Sequence, residues 1–290
     1  MTLTFGKKVF FVIYPMVLVA SAWYFVPSFL QPRMKAETPY RGVPSHPEEM
    51  TGATLFQQNC AYCHGPNGRG NAPAELTIKA RWFGIDRFKF ANTMNGIPTD
   101  ENLAAVIKNG IPGSAMPAFD KLSPDQIAKL IEQIRTLAQE GAYTKVEEKL
   151  RKDDDFDPVS LQVQVAKTLT PGKVLPIPEF PAVTNESLAN GKKLYLAGCA
   201  SCHGPGGKGD GTQVMNDDDG RPNRPRDLTR GVYKGGGTKA DLYTRLMLGV
   251  PGTPMPASTT LKPNEVLDVL NYIISLAKEP EAPIQMSKNP

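Results

Sequence analysis

The chain holds four cysteines, and all four fall in two C-x-x-C-H runs: Cys60, Cys63 and His64 in "CAYCHG", and Cys199, Cys202 and His203 in "CASCHG". Two thiols at that spacing match the vinyl groups of a porphyrin, with which they form thioethers, while the adjoining imidazole meets the iron. The runs therefore point to covalently attached haem c, one per motif. A redox C-x-x-C pair, or one zinc site built from all four thiolates, would use the same cysteines. Neither accounts for a histidine at the same offset in both runs. A disulfide-stapled fold is disfavoured by size, since 290 residues can bury a core without staples.

A duplicated haem site should also duplicate the second iron ligand. The motifs are offset by 199 − 60 = 139, and the same offset carries Met116, in "GIPGSAMPAF", onto Met255, in "GVPGTPMPAS". Met94 instead maps to Tyr233, while Met215 and Met247 map back to Leu76 and Lys108. A methionine within a helical pattern is more often core filler than ligand. Met116 and Met255 lie in Pro-bounded, Gly-containing loops, where helix is disfavoured and a side chain can be aimed at a cofactor. The expected iron ligands are His64 with Met116 and His203 with Met255.

The elements that must position these residues repeat in the same register, with no net insertion. Gly52 pairs with Gly191, Phe56 with Tyr195, Leu103 with Leu242, Gly110 with Gly249, Pro124 with Pro263 and Ile134 with Ile273. Each copy reads as helix, haem run, irregular middle, short helix, ligand loop and closing helix, an all-α pattern. In the first closing helix Ile127, Leu130, Ile131, Ile134 and Leu137 recur at three- and four-residue spacing; Val266, Val269, Leu270, Ile273 and Leu276 match them in the second. Ser123, Pro124 and Gln126 form a capping pattern, whereas Lys262 stands where the second copy would need the serine. Two copies with a long spacer predict two domains, residues 48–141 and 186–279, rather than a solenoid. Residues 142–185 pass from a charged helix-like run to a Pro-rich segment and read as a linker, its acidic cluster 153–155 as a solvated turn. Residues 280–290 form a tail.

Upstream, residues 9–30 are a 22-residue stretch without a charge, long enough to span a bilayer, inside a predicted anchor of residues 1–31. A cleavable signal competes, since "ASA" at 20–22 suits the cleavage rule. Trp23, Tyr24 and Phe25 continue past that point as an interfacial belt does. Residues 32–47 would tether the first domain.

These motifs resemble the class I c-type cytochromes, and more closely the membrane-anchored diheme electron carriers built from two such domains. The resemblance implies an N-terminal helix ending at C-x-x-C-H, packed across a C-terminal helix, with a Met-Pro loop supplying the sixth ligand. It also implies two covalently bound haems c and a proline carbonyl orienting the haem histidine. Pro73 would fill that role in the first copy, while the second copy has no proline at that spacing. "RFKFANTMNGIPT" (87–99) and "RPRDLTRGVYKGGGT" (224–238) are similar to the stretches wrapping the haem edge, with Arg226 or Lys234 as partners for propionates. An iron held by imidazole and thioether has no open position for a substrate, so electron transfer is favoured over catalysis. The family implies haem attachment on the periplasmic face of the cytoplasmic membrane, and a place in a respiratory complex. There electrons would come from a quinol-oxidising complex or dehydrogenase and leave to an oxidase or soluble cytochrome. A diheme peroxidase is the rival reading; it would need one labile ligand, yet both ligand loops survive in the sequence.

Basic minus acidic residues come to +4 for 1–47, −1 for 48–141, −1 for 142–185 and +2 for 186–279. The positive excess sits in the anchor region, so no basic stripe supports nucleic-acid binding.

Overall fold

A glycine sits at the centre of each copy. In the computed structural model, which describes residues 50–71, 80–84, 88–213, 215–218, 220 and 222–277, α1 (Gly52–Asn59) and α6 (Asn185–Gly198) are the N-terminal helices of the two copies. The closing helices are α4 (Pro124–Lys152) and α9 (Pro263–Leu276). A methyl group on Gly52 would collide with Lys129 O, and one on Gly191 with Asp268 O, so each N-terminal helix rests directly on the backbone of its closing helix. The two contacts are again 139 residues apart.

Short helices complete each copy: α2 (Ala61–His64) and α3 (Asp100–Asn109) in the first, α7 (Ala200–His203) and α8 (Lys239–Leu248) in the second. All five stripe residues of α4 are buried beside Leu55, Phe56, Leu103 and Ile107; in α9 Val266, Val269, Leu270 and Ile273 are buried and Leu276 packs half-buried against them. Ser123 caps α4 as expected, its hydroxyl accepting from Gln126 N at 3.2 Å while Gln126 Oε1 accepts from Ser123 N at 2.9 Å. Lys262 lacks the hydroxyl, yet α9 starts in register because Glu265 Oε2 still accepts from Lys262 N at 2.8 Å. Among the described residues there are isolated bridges but no strand, in keeping with an all-α class.

The copies differ around their glycine crossings. Asp268 accepts from Ser187 Oγ at 2.6 Å and Asn190 Nδ2 at 2.7 Å, tying α6 to α9 with charge-assisted bonds. Its counterpart Lys129 instead pairs with Asp125 along its own helix, at 2.8 Å.

Residues 142–185 fold back instead of reaching out. Ala142, Val146 and Leu150 continue the apolar face of α4 at four-residue spacing and pack on Leu161 and Val165 of α5 (Pro158–Leu169), making a third cluster. Gly141 does not stop the helix because it lies face to face with Gly84, where a side chain on either would clash. Residues 153–155 form the exposed turn between α4 and α5. The Pro-rich stretch then runs along the first copy, Met94 N donating to Lys173 O at 2.8 Å and Leu175 N to Asn92 O at 2.7 Å. It ends by burying Leu175 in the second core. The described residues thus belong to one compact unit.

The predicted anchor and tether, residues 1–47, and the tail lie outside the described residues. Among the described residues no helix is long and apolar enough to cross a membrane.

Overpacking a close helix crossing costs about 1–3 kcal/mol. Gly191→Ala is therefore expected to lower the urea midpoint of the holoprotein by that equivalent at unchanged m-value. The same change at Gly198, where a methyl would meet no atom within 4 Å, should not.

Candidate haem sites

Each N-terminal helix ends on the first cysteine of its motif. Cys60 N donates to Phe56 O at 2.8 Å and Cys199 N to Tyr195 O at 2.8 Å, and a second helical turn then carries Cys63 and His64, or Cys202 and His203, on one short segment. Gly65 and Gly204, both at φ 77°, reverse the chain immediately after the histidine, a conformation open to glycine. Gly70 N then donates to His64 O at 2.7 Å and Gly209 N to His203 O at 2.9 Å. The four cysteines are free and half-buried. Burial, with Cys63 alongside, pushes the Cys60 thiol up to about 12, and burial likewise raises Cys199 beside Cys202.

The methionine loops are duplicates down to their hydrogen bonds. Ile111 N donates to Met116 O at 3.0 Å and Val250 N to Met255 O at 3.1 Å. Met116 N donates to Ser114 Oγ at 3.2 Å and Met255 N to Thr253 Oγ1 at 3.3 Å. Each loop is anchored to the preceding helix by Phe119 N to Ile107 O, 3.0 Å, and Ser258 N to Leu246 O, 2.8 Å. Gly110 and Gly249 open the loops at φ 63° and 70°, pressed against the backbone that follows each methionine. Met255 and Cys199 pack on one buried cluster; Cys60 does so in the first copy, and Met116 is half-buried in its loop outside that cluster.

Each haem histidine faces a backbone carbonyl, of Arg81 in the first copy and Arg226 in the second, a role the sequence patterns did not give to either residue. His64 Nδ1 lies 3.4 Å from the carbonyl of Arg81, and burial holds its ring below the ordinary histidine range against the opposing pull of that carbonyl. His203 behaves in the same way: burial lowers it, the Arg226 carbonyl opposes, and Nδ1 is buried without a hydrogen bond of ordinary geometry. Neutral imidazole is the metal-binding form. The expected Pro73 lies outside the described residues. Arg81 and Arg226 are 226 − 81 = 145 apart, as are Phe83 and Leu228, whose N–H groups meet Gly68 O and Gly207 O at 3.0 and 2.7 Å. The constant register of 139 therefore conceals a six-residue shift after the haem run and its reversal before α3 and α8. At 139, Arg81 would fall on Gly220, which is why the pairing is invisible in the sequence.

The surroundings of the two rings differ. Phe83 stacks on His64 at 4.8 Å between centroids and contacts Phe56 and Phe88, whereas its counterpart by backbone hydrogen bond in the second copy is Leu228. Fully buried Tyr195, the counterpart of Phe56, donates to Gly204 O at 2.8 Å. Near the second site the Tyr233 hydroxyl is buried without a partner, and Lys234 is pushed down by burial and by the neighbouring Arg226 charge. The cation acting on the Tyr233 hydroxyl is Arg245, while the crowding of Lys234 by Arg226 leaves two positive charges that suit a carboxylate, the role expected for Arg226 or Lys234 toward a propionate. With half-buried thiols, imidazoles lowered by burial and a thioether loop in each copy, the donor set fits an iron porphyrin. Among the described residues no three His, Cys, Asp or Glu side chains converge as a metal site of the zinc type.

Comparison with known proteins agrees with this chemistry. Residues 47–134 match the family described as cytochrome c oxidase, cbb3-type, subunit III, and residues 188–277 match the cytochrome c family. The cbb3-type cytochrome c oxidase subunit CcoP of Azospirillum sp. (strain B510) is 26% identical over 211 residues, 71% of this chain and 54% of that protein. The chain thus spans about half the length of that relative. Cytochrome c6 of Leptolyngbya boryana is 36% identical over 91 residues, 31% of this chain and 93% of that protein. A chain of the Kuenenia stuttgartiensis reducing HAO-like protein complex superposes with a TM-score of 0.66 at 29% identity, covering 80% of this chain and 99% of that one.

Tyr195→Phe leaves the buried Gly204 carbonyl without its donor and is expected to cost about 1 kcal/mol, read by equilibrium unfolding of the holoprotein.

Proposed function

The chain belongs to the c-type cytochromes and carries two of their domains in tandem, each with covalently bound haem c, and from that premise we propose that it is a membrane-tethered electron carrier of a respiratory chain. The observation that carries this reading is the duplication of an imidazole and a thioether loop with the same hydrogen bonds in both copies.

Haem c, when bound, supplies a one-electron iron couple at each site. Cys60 with Cys63, and Cys199 with Cys202, would hold the porphyrins covalently. His64 and His203 would offer Nε2 to the iron, their Nδ1 sides turned to the carbonyls of Arg81 and Arg226, which orients the rings. Met116 and Met255 would supply thioethers, ligands that raise the reduction potential relative to more basic groups. Two ligands from the chain at each iron favour electron passage over substrate binding. Around the first ring Phe56, Phe83 and Phe88 exclude water; at the second, Arg226 or Lys234 would receive a propionate.

The likeness to an oxidase subunit supports a role handing electrons from a quinol-oxidising complex or dehydrogenase to an oxidase or soluble cytochrome. The likeness to a chain of a reducing HAO-like complex, over 99% of that chain, favours a second reading, a carrier subunit held by an oxidoreductase partner. On either reading residues 9–30 would anchor the chain in the cytoplasmic membrane, with the haem domains on the periplasmic side.

The purified holoprotein should be low-spin in both redox states, with two one-electron transitions and no peroxide turnover. A high-spin component with peroxide turnover would instead support the diheme peroxidase reading. Met116→Ala should lower one of the two potentials and make that haem partly high-spin while sparing the other. An unchanged spectrum and potential would remove Met116 from the ligand set.

A further inference from the structure

The two copies meet through reciprocal contacts. The Arg81 guanidinium of the first copy lies against Gly252 in the second methionine loop, its nitrogens 3.0 and 3.1 Å from where a methyl on that glycine would stand. The Arg226 guanidinium of the second copy lies against Gly113 in the first methionine loop, too close for any side chain there, and Nη1 approaches Gly113 O at 3.5 Å. Gly113 and Gly252 are counterparts at 252 − 113 = 139, and Arg81 and Arg226 are the counterparts that face the haem histidines. Phe90 presses on Gly235, again counterparts, at 235 − 90 = 145. One contact that recurs with its partners exchanged, beside another in which a residue meets its own counterpart, is the pattern of an approximate two-fold relation between the copies. Here that relation lies within one chain.

We propose that Arg81 and Arg226 are reciprocal positioning residues, each holding the methionine loop of the opposite copy while its own carbonyl orients the haem histidine of its own copy. Each arginine thereby joins the histidine side of one site to the thioether side of the other. The loops leave this role open. Their internal hydrogen bonds fix the turn around Met116 and Met255, but at its glycine each loop is met by an arginine from across the interface. The Arg226 arm is itself held by Nε donating to Val232 O at 3.0 Å. A planar guanidinium can lie flat on a glycine surface, which an ammonium cannot. Its fixed positive charge beside the loop opposes the additional positive charge of oxidised iron, and its removal frees the loop that carries the sulfur. Losing that charge and freeing the loop would therefore both lower the potential of the opposite haem.

The inference rests on Met116 and Met255 as ligands, and one experiment separates the two claims. The full-length holoprotein is compared with M116A, M255A, R81A, R81Q, R226A and R226Q by spectroelectrochemical titration and by the methionine methyl resonances of the reduced state, assigned through the two methionine variants. R81A and R81Q should displace the Met255 resonances and shift the second haem's reduced-to-oxidised ratio at fixed potential by about tenfold, or about 59 mV for a one-electron couple. The Met116 resonances should stay near their wild-type positions. R226A and R226Q should displace the Met116 signals and lower the first haem's potential, in addition to any effect on their own copy. The glutamine variants retain the backbone carbonyl and a polar side chain, so they carry the test if an alanine variant does not fold. Arginine variants that change only their own copy, or neither copy, overturn the proposal. If M255A left ligation unaltered, the ligand reading would fail, while displaced Met255 methyl resonances in R81Q would still report that Arg81 holds the second loop.

Discussion

Each half of this molecule depends on one close approach, the backbone of an N-terminal helix resting on that of a closing helix at Gly52 and Gly191. Removing the side chain there lets two helix axes come together, so apolar groups on either side of the crossing interlock without a void. The crossing also sets where the N-terminal helix ends, and therefore where the C-x-x-C-H turn stands. A displaced crossing would move both cysteines and the histidine as one body, because they share a single turn. The methionine arrives from the other direction, on a loop between a short helix and the closing helix. The placement of the C-x-x-C-H turn in each copy is thus a consequence of how two helices cross.

Duplication preserved the proposed ligands and relaxed their surroundings. The methionine loops keep the same hydrogen bonds, with serine exchanged for threonine. Around the histidines, an aromatic stack in the first copy is replaced by Leu228 in the second, and the bare Phe56 ring by a tyrosine bonded to Gly204. Polar groups and fixed charges near a redox centre shift its potential even when the ligands are unchanged.

The connecting segment has a structural role of its own. By extending α4, packing α5 on it and burying Leu175 in the second core, residues 142–185 attach each copy to the other. A flexible linker would leave the two halves at a fluctuating separation, whereas a folded one holds the interface across which Arg81 and Arg226 reach.

The sequence alone determined the elements whose signals are local or periodic. The spacing of cysteines and histidine, the agreement of Met116 with Met255, the stripes of the closing helices and the cap at Ser123 are written in neighbouring residues, and the described fold follows them. The role of Arg81 was hidden, because two opposite six-residue shifts cancel in the overall register and displace its counterpart from Gly220 to Arg226. The folding of the linker was hidden too, since Leu175 gains its burial from residues far along the chain. Only tertiary structure decided these features: a carbonyl facing an imidazole, or a guanidinium lying on a glycine, depends on distances between segments that local sequence does not encode.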